Sequence, residues 1–140
     1  MTERHMLDMV HDQNPITLAA DKSVKEACEL MRDRRVGAIL IVHGKDQLVG
    51  IFTGRDAVCR VAADGRDPAT TLLKDVMTTE PVTMDPGSTA IEALRLMQDG
   101  GFRHVPVTEG ERVVGIVSKG DFRGLEQARL DEETNLWERI

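Results

Sequence analysis

Sliding the chain along itself by 66 positions lays its second half on its first. Pro15-Ile16-Thr17 falls on Pro81-Val82-Thr83, Glu26-Ala27 on Glu92-Ala93, and Leu30-Met31 on Leu96-Met97. A one-residue gap changes the offset to 65. Leu48-Val49-Gly50-Ile51-Phe52-Thr53 then meets Val113-Val114-Gly115-Ile116-Val117-Ser118, and Asp56 meets Asp121. Ordered matches over so long a period describe two copies of one folding unit, since a solenoid needs more copies. With 140 residues in all, either copy alone would bury little surface, and two copies gain by packing on each other.

Each copy reads β-α-β-β-α. Residues 15–18 and 81–84 are β-prone and entered by a proline, which suits the first position of a strand. Ser23-Val24-Lys25-Glu26 and Thr89-Ala90-Ile91-Glu92 both have the spacing of a capping box, where hydroxyl and carboxylate each satisfy a backbone amide of the other. Val24, Ala27, Cys28 and Met31, and likewise Ala90, Ala93, Leu94 and Met97, follow the i, i+3, i+4, i+7 spacing of a core-facing stripe. Residues 38–42 and 48–52 predict one hairpin, 104–107 and 113–117 another, with turn-rich residues between. A second helix begins near Thr53 or Ser118. Asp64-Gly65-Arg66-Asp67-Pro68 reads as a linker, and Leu72–Met77 as a short helix leading into the second copy.

Charge and special residues narrow the function. Eighteen basic and 24 acidic residues give a net charge of −6. Residues 1–70 hold 10 basic and 11 acidic side chains, residues 71–140 hold 8 and 13, so acidity leans towards the C-terminal side. Such a field disfavours nucleic acid and anionic membranes as partners. Cys28 and Cys59 stand apart, without a CxxC or Cys/His cluster, and both lie in apolar helical windows that predict buried free thiols. His5, His11 and His43 match no ligand spacing and predict surface positions. The longest apolar run, 38–42, is too short for a membrane span, and the N-terminus lacks a signal-peptide core, so a cytoplasmic location is expected. No activated nucleophile, clustered base or metal-carboxylate set argues for an enzyme, and no cofactor or metal is called for.

Four fragments resemble the CBS domain, whose tandem pairs are called Bateman modules. They are Val36–Val42, Leu48–Asp56, Arg103-His104-Val105-Pro106-Val107 and Val114–Asp121, in matching order in the two copies. The resemblance covers roughly residues 7–125. It implies an α+β chain of two tandem CBS domains, 7–64 and 77–125, packed as a pseudo-twofold pair with their sheets facing each other. Residues 65–76 would be linker and short helix, and 126–140 an acidic C-terminal helix or tail. It also implies adenine-nucleotide ligands (AMP, ADP or ATP) in the cleft between the domains, homodimerisation, and regulation of a separate protein.

The repeated motif Gly-h-x-[Thr/Ser]-x-x-Asp, with h apolar, is where such a ligand is expected. If a helix starts after Thr53 and Ser118, its unpaired amides form a phosphate perch, and the hydroxyl can donate to phosphate. An ionised carboxylate only accepts, so Asp56 and Asp121 should turn from phosphate to ribose hydroxyls. The same spacing also fits a simple N-cap with an acidic first turn, and the two roles are compatible. The copies differ nearby. Val36, Gly37 and Ala38 let a flat base approach backbone, whereas Arg103 offers a phosphate fork, with His104 and Pro106 beside it. Arg55 and Lys119 flank the motif as further phosphate candidates. From the resemblance, backbone groups of the first strand, including Ile16, Thr17, Val82 and Thr83, would hold the base. Rival expectations are a ligand-free interaction module and a binder of another adenosyl compound, S-adenosylmethionine or NAD(H). Leu136, Trp137 and Ile140 are late apolar residues of the acidic tail, which reads either as a frayed helix or, through Trp137, as packing across a dimer.

Overall fold

A computed structural model describes residues 4–11 and 13–122. The expectations about the tail and Trp137 lie outside these residues. Described residues fall into two compact units. One belongs to Asn14–Pro81 and Glu111–Val113, the other to Met1–Gln13, Val82–Gly110 and Val114–Ile140.

The first unit carries β1 (Thr17–Leu18), α2 (Val24–Arg34), β2 (Ala38–His43), β3 (Gln47–Thr53), α3 (Gly54–Asp56), a π-helix (Ala57–Ala62), α4 (Leu73–Val76) and β4 (Thr78–Thr79). The short helix α1 (Met6–Val10) precedes them in the chain. β1 runs parallel to β2, and β2 pairs antiparallel with β3 as the predicted hairpin. Parallel strands need a crossover, and α2 supplies it. Its stripe of Val24, Ala27 and Met31 packs with Ile39, Ile41, Phe52, Val61, Leu73 and Val76. Ser23 Oγ accepts from Glu26 N at 3.1 Å, so the hydroxyl half of the expected capping box forms.

The second unit repeats the plan with α5 (Ala90–Gly100), β5 (His104–Glu109), β6 (Arg112–Ser118) and a 3-10 turn (Lys119–Asp121). Here the capping box is reciprocal: Thr89 Oγ1 accepts from Glu92 N and Glu92 Oε2 from Thr89 N. Ala90, Ala93 and Met97 pack with Val105, Val107 and Val117. The expected first strand at 81–84 shrinks to a single parallel bridge between Met84 and Val107. The cause is visible by superposition of the copies. Leu40 N donates to Ile16 O at 3.1 Å in the first unit, but the counterpart of Leu40 is Pro106, which has no N–H to give.

The short helices reveal a wider repeat. α4 packs its Leu73 and Val76 into the first unit, whereas α1 packs Met6 and Val10 into the second. The two are bonded alike. Leu73 N donates to Lys22 O and Val24 N to Thr71 O; Met6 N donates to Ser88 O and Ala90 N to Arg4 O. Each copy is thus completed by the leader segment that precedes the other copy in the chain. The motif glycines serve this contact. A Cβ on Gly50 would lie 2.7 Å from Met77 Sδ, and one on Gly115 only 2.5 Å from Val10 Cβ.

Candidate functional site

Strand β3 ends at Thr53, whose extended backbone (φ −119°, ψ 166°) stops the ladder and starts α3. Thr53 Oγ1 accepts from Asp56 N at 3.3 Å, while Asp56 Oδ2 accepts from Thr53 N at 3.0 Å and from Thr53 Oγ1 at 3.1 Å. The other carboxylate oxygen, Oδ1, lies 3.6 Å from Arg60 Nε. Arg60 in turn donates through Nη1 to Val76 O and Met77 O, at the end of α4. Asp56 is only 9% exposed. Its carboxylate is therefore folded into a local network rather than held out to solvent. The π-turn explains the burial: Asp56 and Val61, five residues apart, share the inner side, while Val58, Cys59 and Arg60 face out. That geometry corrects the expectation for Cys59, which is exposed; Cys28 is half-buried, and burial pushes its thiol pKa up.

At the second turn Ser118 (φ −113°, ψ 161°) ends β6 in the same way. Ser118 N donates to Asp121 Oδ2 at 2.7 Å. Asp121 is exposed, as are Arg103 and Lys119. Arg103, His104, Ser118 and Lys119, four residues singled out from the sequence, line one open cavity of about 310 Å³ together with Gly120. Burial holds the His104 imidazole below its ordinary pKa of 6.5; the Asp121 charge opposes this and Arg103 adds to it. His104 is therefore neutral near pH 7, and a phosphate beside it would draw a proton onto it.

The expected phosphate perch is narrower than the motif suggested. Gly54 N donates to Gly37 O at 3.1 Å, and Lys119 N to Arg103 O at 2.9 Å, a matched pair that ties each turn to the start of the preceding strand. With Asp56 N also bound to Thr53, the first helical amides are largely spent on the fold. Recognition then falls to side chains. Arg55, Val36 and Gly37 are exposed, Ala38 is buried, and Ile16 and Thr17 are half-buried. In the second copy Val82 and Thr83 are exposed, and Pro106 is buried. Arg60 and Gly120 were missed in the sequence; the signal for Arg60 was its position four residues after Asp56. His5, His11 and His43 are exposed, and among the described residues no group of His, Cys, Asp and Glu could hold a metal ion. None of the described helices is long and apolar enough to cross a membrane.

A shifted His104 makes stability depend on pH. Its folded pKa lies below the unfolded value, so on acidification the unfolded chain takes the proton first. The contribution is complete above pH 6.5 and is lost as pH falls from there towards the folded value. Urea midpoints measured between pH 7.5 and 5.5 should fall more steeply in the wild type than in His104→Gln; parallel curves would contradict the assignment.

The CBS domain profile matches residues 7–62 and 73–126. Among curated relatives, CBSCBSPB2 of Arabidopsis thaliana is 40% identical over 102 residues, which make up 73% of this chain but 19% of the plant protein. The chain thus spans about a fifth of the length of such relatives. The CBS domain-containing protein YhcV of Bacillus subtilis is 36% identical over 105 residues, 75% of this chain and 74% of YhcV. Among solved structures, the CBS domain protein PAE2072 of Pyrobaculum aerophilum, complexed with AMP, superposes with a TM-score of 0.81 at 20% identity, covering 91% of this chain and 98% of that one. Two profile matches, spanning both copies of the repeat, establish that the chain belongs to the CBS domain family and carries two CBS domains.

Proposed function

We propose that this chain is a non-catalytic sensor that binds an adenine nucleotide (AMP, ADP or ATP) and passes the event to a separate protein. The observation that carries the reading is the cavity at the second turn. There a guanidinium, an imidazole, an ammonium and a hydroxyl converge, with the Asp121 carboxylate beside them. Cationic donors suit phosphate, and an acceptor-only carboxylate suits the paired hydroxyls of ribose. One ligand class carries both. That PAE2072, of the same fold, was solved with AMP supports the choice of ligand to test. Self-association belongs to the same reading.

Signalling requires that the nucleotide bind two arrangements of the protein unequally, because a ligand shifts an equilibrium only by its differential affinity. Equilibrium dialysis against AMP, ADP and ATP tests the first step. Saturable binding is expected, weakened roughly 10- to 100-fold by Asp121→Ala, about 1.4–2.7 kcal/mol, the scale of hydrogen bonds to a charged group. Flat isotherms at millimolar nucleotide would instead favour a ligand-free interaction module. Binding confined to S-adenosylmethionine or NAD(H) would keep the site and change the ligand.

A further inference from the structure

The two copies share a motif, yet their acceptors are not equally available. In the first copy both are already engaged by the protein. Ile16 O accepts from Leu40 N at 3.1 Å, and the Asp56 carboxylate is shared between Thr53 on Oδ2 and Arg60 on Oδ1. Arg60 is itself tied through Nη1 to Val76 O and Met77 O, which holds its guanidinium beside Asp56.

The second copy differs at each of these points through one residue apiece. Pro106 stands where Leu40 stands and has no amide hydrogen, so the bond that occupies Ile16 O has no counterpart at Val82 O. In sequence, Leu125 follows Asp121 by four residues where Arg60 follows Asp56, and the described guanidinium that reaches Asp121, that of Arg4, donates to its backbone O at 3.2 Å. Asp121 is exposed, and its Oδ2 accepts from Ser118 N at 2.7 Å. Arg103, His104 and Lys119 gather on the same cavity; their counterparts in the first copy are Gly37, Ala38 and Gly54, which carry no charge.

We infer that the chain has one working nucleotide site, at the second copy, and that the first copy is self-occupied, with Arg60 and the Leu40 amide standing where a ligand's donors would go. The inference rests on the reading that these turns take a nucleotide and specifies which of them does. It follows from burial, charge and one backbone bond. In the first copy a ribose hydroxyl meets a carboxylate only 9% exposed and paired with Arg60, and an adenine amino group meets an Ile16 O already bonded to Leu40 N. In the second, Asp121 is exposed, and Pro106 has no N–H to give to Val82 O.

Calorimetric titration of the chain with AMP tests this, using Asp56→Asn and Asp121→Asn. Asparagine keeps an oxygen for the backbone amide, so both turns stay capped, and thermal melts confirm that each variant folds. The expected result is one AMP per chain in the wild type. Asp121→Asn should weaken it at least tenfold, and Asp56→Asn should leave affinity within about twofold. Two equivalent sites per chain, or a single site sensitive to Asp56→Asn and not to Asp121→Asn, would overturn the assignment while leaving nucleotide sensing intact. No binding of AMP, ADP or ATP by the wild type at millimolar concentration would overturn both.

Discussion

Met6→Ala is expected to cost about 2–5 kcal/mol and to loosen the second copy, although Met6 lies nearly a hundred residues before β5. The side chain is 0% exposed and packs with Val10, Ala90, Ala93, Met97, Val105, Val107 and Val117. Truncation removes most of its apolar contact and leaves a cavity that the neighbours fill only in part. Domains are stable by about 5–15 kcal/mol, so the loss is a large share of the total. Amide hydrogen exchange reports where it falls. Val105, Val107 and Val117 should exchange at least about 30-fold faster, the rate equivalent of 2 kcal/mol. Acceleration confined to Ile39, Ile41 and Phe52 would show that α1 does not complete the second copy.

Gly115→Ala should destabilise by about 1–3 kcal/mol, the usual cost of forcing a methyl into a packed core. Besides Val10 Cβ at 2.5 Å, the new carbon would face Gln13 Oε1 at 2.8 Å and Val10 Cγ1 at 2.9 Å. Gln13 has little room to retreat, because its Oε1 accepts from Ile116 N at 2.9 Å. This bond does for β6 what β4 does for β3, whose Gly50 and Ile51 pair with Thr79 and Thr78. Thermal melts should show a drop of several degrees, at about 2–8 °C per kcal/mol. Gly54→Ala is the control. It has nothing within 4 Å, and its change should stay within about 0.5 kcal/mol. Equal losses at both glycines would refute a close-contact role for Gly115.

The elements that rest on periodicity were legible in the chain. Val24, Ala27 and Met31 are core, as are Ala90, Ala93, Leu94 and Met97, and both hairpins fall where the turn residues put them. The hydroxyl-x-x-Asp motif also predicted where the strand-to-helix turns would lie. What it could not convey was how its groups are partnered. Asp56 and Asp121 hold equivalent positions, yet one is buried beside Arg60 in a π-turn that no spacing announces, and the other is exposed. Of the leader segments, 72–77 reads as a short helix in the chain, but its kinship with 6–10 does not. Met6 and Leu73 match in kind, and Asp8 matches Asp75, but at an offset of 67 and over too few residues to stand out. Their bonds go to the copy they do not precede, which is a property of the folded chain alone.

A crystal structure of the protein grown with millimolar AMP tests the central claim most directly. The account predicts nucleotide density at the second turn, with ribose hydroxyls on the Asp121 carboxylate and phosphate towards Arg103, His104 and Lys119. Density at Asp56 alone, or a turn at Ser118–Asp121 left bare while AMP binds elsewhere on the chain, would contradict it.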